Sequence, residues 1–230
     1  MTLDDTLRLS EILIGFAFAQ QSIEHFRSTN NERIIFFPRF ILAILLVIGI
    51  QTSWILALLL LFGFFQLHRF QGPYNGGSDR MSLLVLSCLF AAHIAPSPYW
   101  QEIAIGYLAL QLVLSYFISG WVKVVNPEWR SGLALCDVFQ FSAYPVSESL
   151  RNWSTSPKLL FVMAWSVMIF ELLFPISLIS STSLMIALTI AATFHFTNAC
   201  IFGLNRFFWI WISAYPSIIW FQQRIMSTAL

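Results

Sequence analysis

The chain has 230 residues, 58% of them hydrophobic and only 10% charged, with a formal net charge of +1. A soluble domain carries about 25% charged residues, so too little polar surface is available to cover a water-soluble globule. No basic run or RNA-binding signature is present, and no nucleic-acid partner is expected.

The apolar residues come in blocks long enough to cross or nearly cross hydrocarbon. Only helices and closed barrels span a bilayer, because every backbone polar group there needs an internal partner. The blocks are Leu/Ile/Phe/Ala runs without the period-2 alternation of a barrel strand. The expected fold class is therefore all-α: a polytopic transmembrane helical bundle in one domain over residues 1–230. Three scattered cysteines, Cys88, Cys136 and Cys200, form neither a disulfide framework nor a zinc site, and no metal is predicted. Asp4 and Asp5, without a small-residue cleavage site, do not read as a signal peptide.

In chain order, Leu7 to His25 has a short apolar heart, Ile12 to Ala19, and reads as a short span or an interfacial helix. Ile34 to Ile50 and Trp54 to Leu67 read as a hairpin about the turn Gln51-Thr52-Ser53. The loop His68 to Arg80, HRFQGPYNGGSDR, is punctuated by glycines and a proline. Met81 to Ile94 is a further span, and a Pro-Ser-Pro turn leads to a long helix, Tyr99 to about Lys123. Asn126 to Lys158 mixes Trp129, Leu133, Phe139 and Phe141 with Glu128, Arg130, Asp137 and Arg151. That pattern predicts interfacial helices between the central and C-terminal spans, broken near Pro145 and Pro157. Leu159 to Ile179, Leu184 to Phe202 and Phe207 to Phe221 follow as spans. The expectation is about six to eight membrane helices.

Counting along the hairpins puts ten of the twelve basic residues, Arg27 to Arg206, on one face, with only Arg8 and Arg224 opposite. The positive-inside rule makes that basic face cytoplasmic and the protein multi-pass in the cytoplasmic membrane.

Three stretches carry possible chemistry. Tyr116, Ser119 and Lys123 share one helical face at i, i+3, i+7, and Gly120 lets another backbone approach. Lys123 either snorkels to the headgroups or sits in a dry pocket, where desolvation favours the neutral amine and general-base chemistry. His195 and Asn198, at i, i+3 in an apolar span, either hydrogen-bond helices together or face a functional interior. Glu171 is a third such group, open to packing or proton handling, and His93 reads as structural. The loop from Gly72 to Asp79 has the residues of an anion- or substrate-binding nest, or of a tight turn with Ser78 or Asp79 as N-cap.

The stretch Tyr116 to Trp129, YFISGWVKVVNPEW, resembles the signature of the horizontally transferred transmembrane (HTTM) domain family, which includes the vitamin K-dependent γ-carboxylases. Phe194 to Pro216, FHFTNACIFGLNRFFWIWISAYP, is similar to it in the FH-x-x-N start, the spaced aromatics and the late proline. Leu7 to Phe26 loosely resembles the family's opening helix. The resemblance implies a reduced, vitamin K-like quinone as cofactor. Lys123 matches the base that deprotonates the hydroquinone, and His195 matches a family histidine. Gly77-Ser78-Asp79 stands where the carboxylases carry an Asn-His pair. In the carboxylases the catalytic side faces the lumen, whereas the charge bias here sends the matching side to the cytoplasm.

The leading expectation is a quinol- or lipid-using, carboxylase-like membrane enzyme. Lys123 and His195 are the catalytic candidates, His195 and Asn198 orienting the bound ring beside Tyr116. Asn75, Asp79 and Trp129 would line the entrance. Its partners would be membrane lipids, other membrane proteins or a peptide substrate. The alternative is a non-catalytic membrane subunit or accessory protein whose polar groups are packing glue; a transporter ranks third, since no inverted repeat is evident. Lys123, Asp79 and His195 are expected to open into a common cavity.

Overall fold

The computed structural model describes residues 1–26, 30–69, 76–141 and 146–229. Among them the chain is α-helical throughout, without a strand. Eleven α-helices run in order: α1 Leu3–His25, α2 Asn30–Ile48, α3 Thr52–Arg69, α4 Gly76–Ile94, α5 Pro98–Val125, α6 Pro127–Ser131, α7 Leu133–Gln140, α8 Glu148–Arg151, α9 Pro157–Leu173, α10 Ser181–Phe202 and α11 Asn205–Ala229.

Helix ends follow local chemistry. Thr2 and Asp5 form a reciprocal capping box that starts α1 four residues before the expected boundary. Helix α4 begins at Gly76, so Ser78 and Asp79 lie inside its first turn instead of capping it. Pro157 occupies the first turn of α9, where a missing N–H costs nothing. Pro175 has no N–H to donate to the carbonyl four residues back. The chain accordingly leaves α9 at Leu173 and continues as a 3-10 helix over Phe174–Ile179.

Three segments are long and apolar enough to cross a membrane: Pro98–Val125, Pro157–Ile179 and Ser181–Phe202. Their apolar side chains are largely directed outward; Ile118, Val162, Ile179 and Ile186 are all exposed. Hydrocarbon solvates such a surface, whereas water would not. The chain is thus a membrane protein by composition and by helix type.

The helices form two compact units, residues 1–110 with 206–230, and residues 111–205. In the first, α1 packs on α2 and α4, α2 on α3, and α3 on α4, so the first four helices close a ring. In the second, α6 and α7 pack on α9, and the 3-10 segment after α9 packs on α10. Phe139, Val146, Leu160 and Phe202 form its small apolar core.

The stretch predicted to be interfacial holds only α6, α7, α8 and a 3-10 turn at Asn152–Thr155 among its described residues. None approaches the roughly 20 residues of a span. The expected break at Pro145 falls outside the described residues. Another break lies at Gly132, whose φ of +84° turns α6 into α7. A Cβ there would meet the Phe161 backbone nitrogen at 3.0 Å.

Gly132→Ala is therefore expected to destabilise the protein by about 1–3 kcal/mol, from left-handed backbone strain plus the clash with α9. Chemical unfolding in detergent would read this. A loss below a few tenths of a kcal/mol would mean that the α6–α7 turn is not held as described.

Candidate functional site

In the unit of residues 111–205, polar side chains from three apolar helices meet. Helical spacing aligns Tyr116, Ser119 and Lys123 on one face of α5. Opposite this face, α9 presents Glu171. Lys123 Nζ donates to both Glu171 carboxylate oxygens at 2.6 Å and to Ser119 Oγ at 2.8 Å. Ser119 Oγ donates in turn to Glu171 Oε1 at 3.1 Å. The result is a closed triangle of ammonium, carboxylate and hydroxyl. Glu171 is buried, and the Lys123 side chain keeps 16% exposure. The indole of Trp129 lies 5.4 Å from Lys123 Nζ, a second favourable contact for the cation.

Gly120 makes this approach possible. A Cβ at that position would come within 2.9 Å of both the Glu171 Cβ and the Leu172 backbone nitrogen. Any larger residue pushes α9 away from α5 and lengthens the Lys123–Glu171 contact.

One turn earlier on the same face, Tyr116 Oη shares a 2.8 Å hydrogen bond with His195 Nε2 of α10. Both side chains are at most 2% exposed. The Tyr116 ring stacks on Phe174 at 4.1 Å between centroids, which fixes the direction of its hydroxyl. His195 also lies within electrostatic range of Lys123. The arrangement supplies a base and an acid that can exchange one proton, and beside them a phenol–imidazole pair able to accept or donate hydrogen bonds.

Asn198 is half-buried, and its carbonyl accepts the Leu204 amide at the end of α10. Asp79 belongs to the other unit, where it is buried and takes a hydrogen bond from Arg206 at the start of α11. Asn75 lies outside the described residues.

One cluster escaped the functional reading of the sequence. Glu11 of α1, buried, accepts from Arg8 Nη1 at 3.0 Å and pairs with His93 Nε2 of α4 at 2.5 Å. Arg8 also donates to the carbonyls of Leu46 and Val47 at the end of α2. Asp4, Arg8, Glu11, Thr52 and His93 line a cavity of about 380 Å³. The signal available was a carboxylate in an apolar segment; its partner, 82 residues away, carried no local pattern.

The family model of the HTTM domain matches residues 86–223, more than half of the chain. No curated protein and no solved structure matches.

The Lys123–Glu171 pair sets a stability test. Lys123→Met strands a buried carboxylate and is expected to cost about 3–5 kcal/mol, as is Glu171→Met for the ammonium. The double variant Lys123→Met/Glu171→Met should be more stable than either single variant, because two apolar side chains leave no orphan charge. Unfolding of the four proteins in one detergent measures the cycle; simple additivity of the two losses would mean the pair is not formed.

Proposed function

Because the chain belongs to the HTTM domain family, we propose that residues 111–205 carry a membrane-depth acid–base site acting on a quinol-like, hydroxyl-bearing amphipathic substrate. The observation that supports this is the convergence of Lys123, Glu171, Ser119, Tyr116 and His195 from three otherwise apolar helices. Ionisable groups in such helices are costly and mark functional positions by default.

The chemistry follows from the pair. Transfer of one proton from the Lys123 ammonium to Glu171 converts two charges into a neutral amine and a neutral acid. The amine then takes the proton of a substrate hydroxyl, leaving an oxyanion beside the regenerated ammonium. Tyr116 and His195 orient the substrate ring through hydrogen bonds, with Asn198 further along α10. Trp129 offers an aromatic face at the Lys123 end of the site. Asn75 lies outside the described residues and Asp79 in the other unit, so neither is assigned to this site. A reduced, vitamin K-like quinone is the cofactor proposed, with membrane lipids, membrane proteins or a peptide as partners. When bound, that quinone supplies two-electron redox chemistry; the residues supply proton transfer and orientation.

The membrane arrangement belongs to the same proposal. Eight helices, α1–α5 and α9–α11, have 17 to 28 residues. They are assigned as the spans of a multi-pass protein, within the expected six to eight. The basic face is assigned to the cytoplasm, with α6–α8 lying along it.

A second reading is favoured by one feature of the same site. All three ammonium protons of Lys123 have protein acceptors. A clamp holding α5 to α9 in a non-catalytic membrane subunit needs nothing more.

Lys123→Arg separates the two. Arginine keeps the charge and a Glu171 partner but does not deprotonate in proteins. The assay follows dioxygen uptake with a reduced short-chain naphthoquinone, whose two electrons and two protons pass to dioxygen to give the quinone and hydrogen peroxide. A catalysed rate above the protein-free rate, falling about 10²-fold or more in a folded Lys123→Arg protein, supports the acid–base site. An unchanged rate assigns Lys123 to the clamp.

A further inference from the structure

The unit of residues 1–110 and 206–230 holds a second buried charged cluster, in which Lys123 and Glu171 take no part. Arg39 of α2 is only 1% exposed, the largest of the fully buried side chains. Its guanidinium lies 4.1 Å from the centre of the Phe18 ring and 6.0 Å from that of Phe36. Nη1 donates to Gln66 Oε1 of α3 at 2.6 Å. Among the described residues no carboxylate touches Arg39. The acid acting on it electrostatically is Asp79 of α4, which is already engaged by Arg206 of α11. Arg206 in turn repels Arg39.

Two guanidinium groups against one carboxylate leave one positive charge over. Arginine cannot shed that charge by losing a proton. The hydrogen-bond inventory has the same sign. Arg39 Nε, Arg206 Nε and Gln66 Nε2 are buried donors without a partner. Unsatisfied buried polar atoms are rare in folded proteins, and a cluster of them calls for an explanation. Here every one of the three is a donor, which suits an acceptor, and the excess positive charge favours an anionic one.

We propose that Arg39, Arg206 and Gln66 form a binding site for a singly charged oxyanion of phosphate type. One negative charge neutralises the cluster. A second would meet the Asp79 carboxylate, which selects a monoanion. Donors spread over α2, α3 and α11 match a group with several acceptor oxygens, and the planar guanidinium suits phosphate oxygens. Gln66 lies near the end of α3, and Asp79 and Arg206 lie in the first turns of α4 and α11. Helix ends are where a bilayer presents phosphodiester headgroups. The same chemistry is met by dissolved inorganic phosphate.

The test uses the full chain in mild detergent. Native mass spectrometry reads retained phospholipid. Thermal melting of delipidated protein, with inorganic phosphate titrated against chloride of equal ionic strength, reads the dissolved ion. One retained phospholipid per chain with no phosphate response assigns the site to a headgroup. A rise in melting temperature specific to phosphate assigns it to the free ion. Arg39→Gln should weaken whichever binding is found by about tenfold. Asp79→Asn should strengthen it, because the competing carboxylate charge is gone; a folding defect would weaken both. Wild-type protein that binds neither phospholipid nor phosphate overturns the proposal. So does binding that is unchanged in both variants.

Discussion

A charged side chain inside an apolar helix bundle must find its counter-charge on another helix or keep its head in water. The Born penalty for an isolated ion in a low-dielectric interior is far larger than the stability of a domain. Much of this chain's tertiary structure follows from that constraint. Lys123 of α5 meets Glu171 of α9, Arg206 of α11 meets Asp79 of α4, and Glu11 of α1 meets His93 of α4 as well as Arg8 of its own helix. Each contact fixes rotation and depth of its helices, which a smooth apolar surface does not do. Leucine and phenylalanine can slide along a neighbour by a residue; a 2.6 Å bidentate ion pair cannot.

The same constraint explains what the sequence disclosed. Three apolar helices long enough to cross a membrane, Pro98–Val125, Pro157–Ile179 and Ser181–Phe202, were readable because hydrocarbon demands an uninterrupted apolar run, a purely local property. The Tyr116, Ser119, Lys123 face was readable because helical periodicity is local too. Their partners were not. Nothing around Glu171 says that its oxygens meet a lysine 48 residues earlier, and nothing around His93 announces Glu11. Helix termini fell between these cases. The capping box at Thr2 and Asp5 could have been seen, while Gly76 and Gly77, read as loop because of their flexibility, are held in α4 by its continuation. Among the described residues of Asn126 to Lys158 the helices are short, in keeping with polar residues that recur too often for an apolar run to build up.

Arginine and lysine divide the work by chemistry. An arginine at membrane depth is a permanent charge. Arg8 meets it with a carboxylate and two backbone carbonyls at the end of α2, and Arg206 with a carboxylate. Such contacts are static and set architecture. Arg39 departs from the rule: it has an amide and two aromatic rings but no anion among the described residues, and its charge is what makes the cluster around it a candidate for a ligand.

The Lys123–Glu171 pair differs in kind. One proton passing between a nitrogen and an oxygen 2.6 Å apart turns an ion pair into two neutral groups, and the reverse movement restores it. Neither state leaves an isolated charge in the bundle, so the exchange avoids the penalty that forbids single ionisations at this depth. A lone lysine would have to release its proton to solvent, and a lone glutamate would have to draw one from it. The pair needs neither, and Ser119, bonded to both partners, keeps the oxygen and nitrogen in register. Among the described ion pairs, Glu11–His93 can exchange a proton in the same way; Lys123–Glu171 differs in lying beside the Tyr116–His195 pair, which is what favours it in the proposed function. In the proposed function, the 16% exposure of the Lys123 side chain and the nearby Trp129 indole give the side of approach for the substrate hydroxyl.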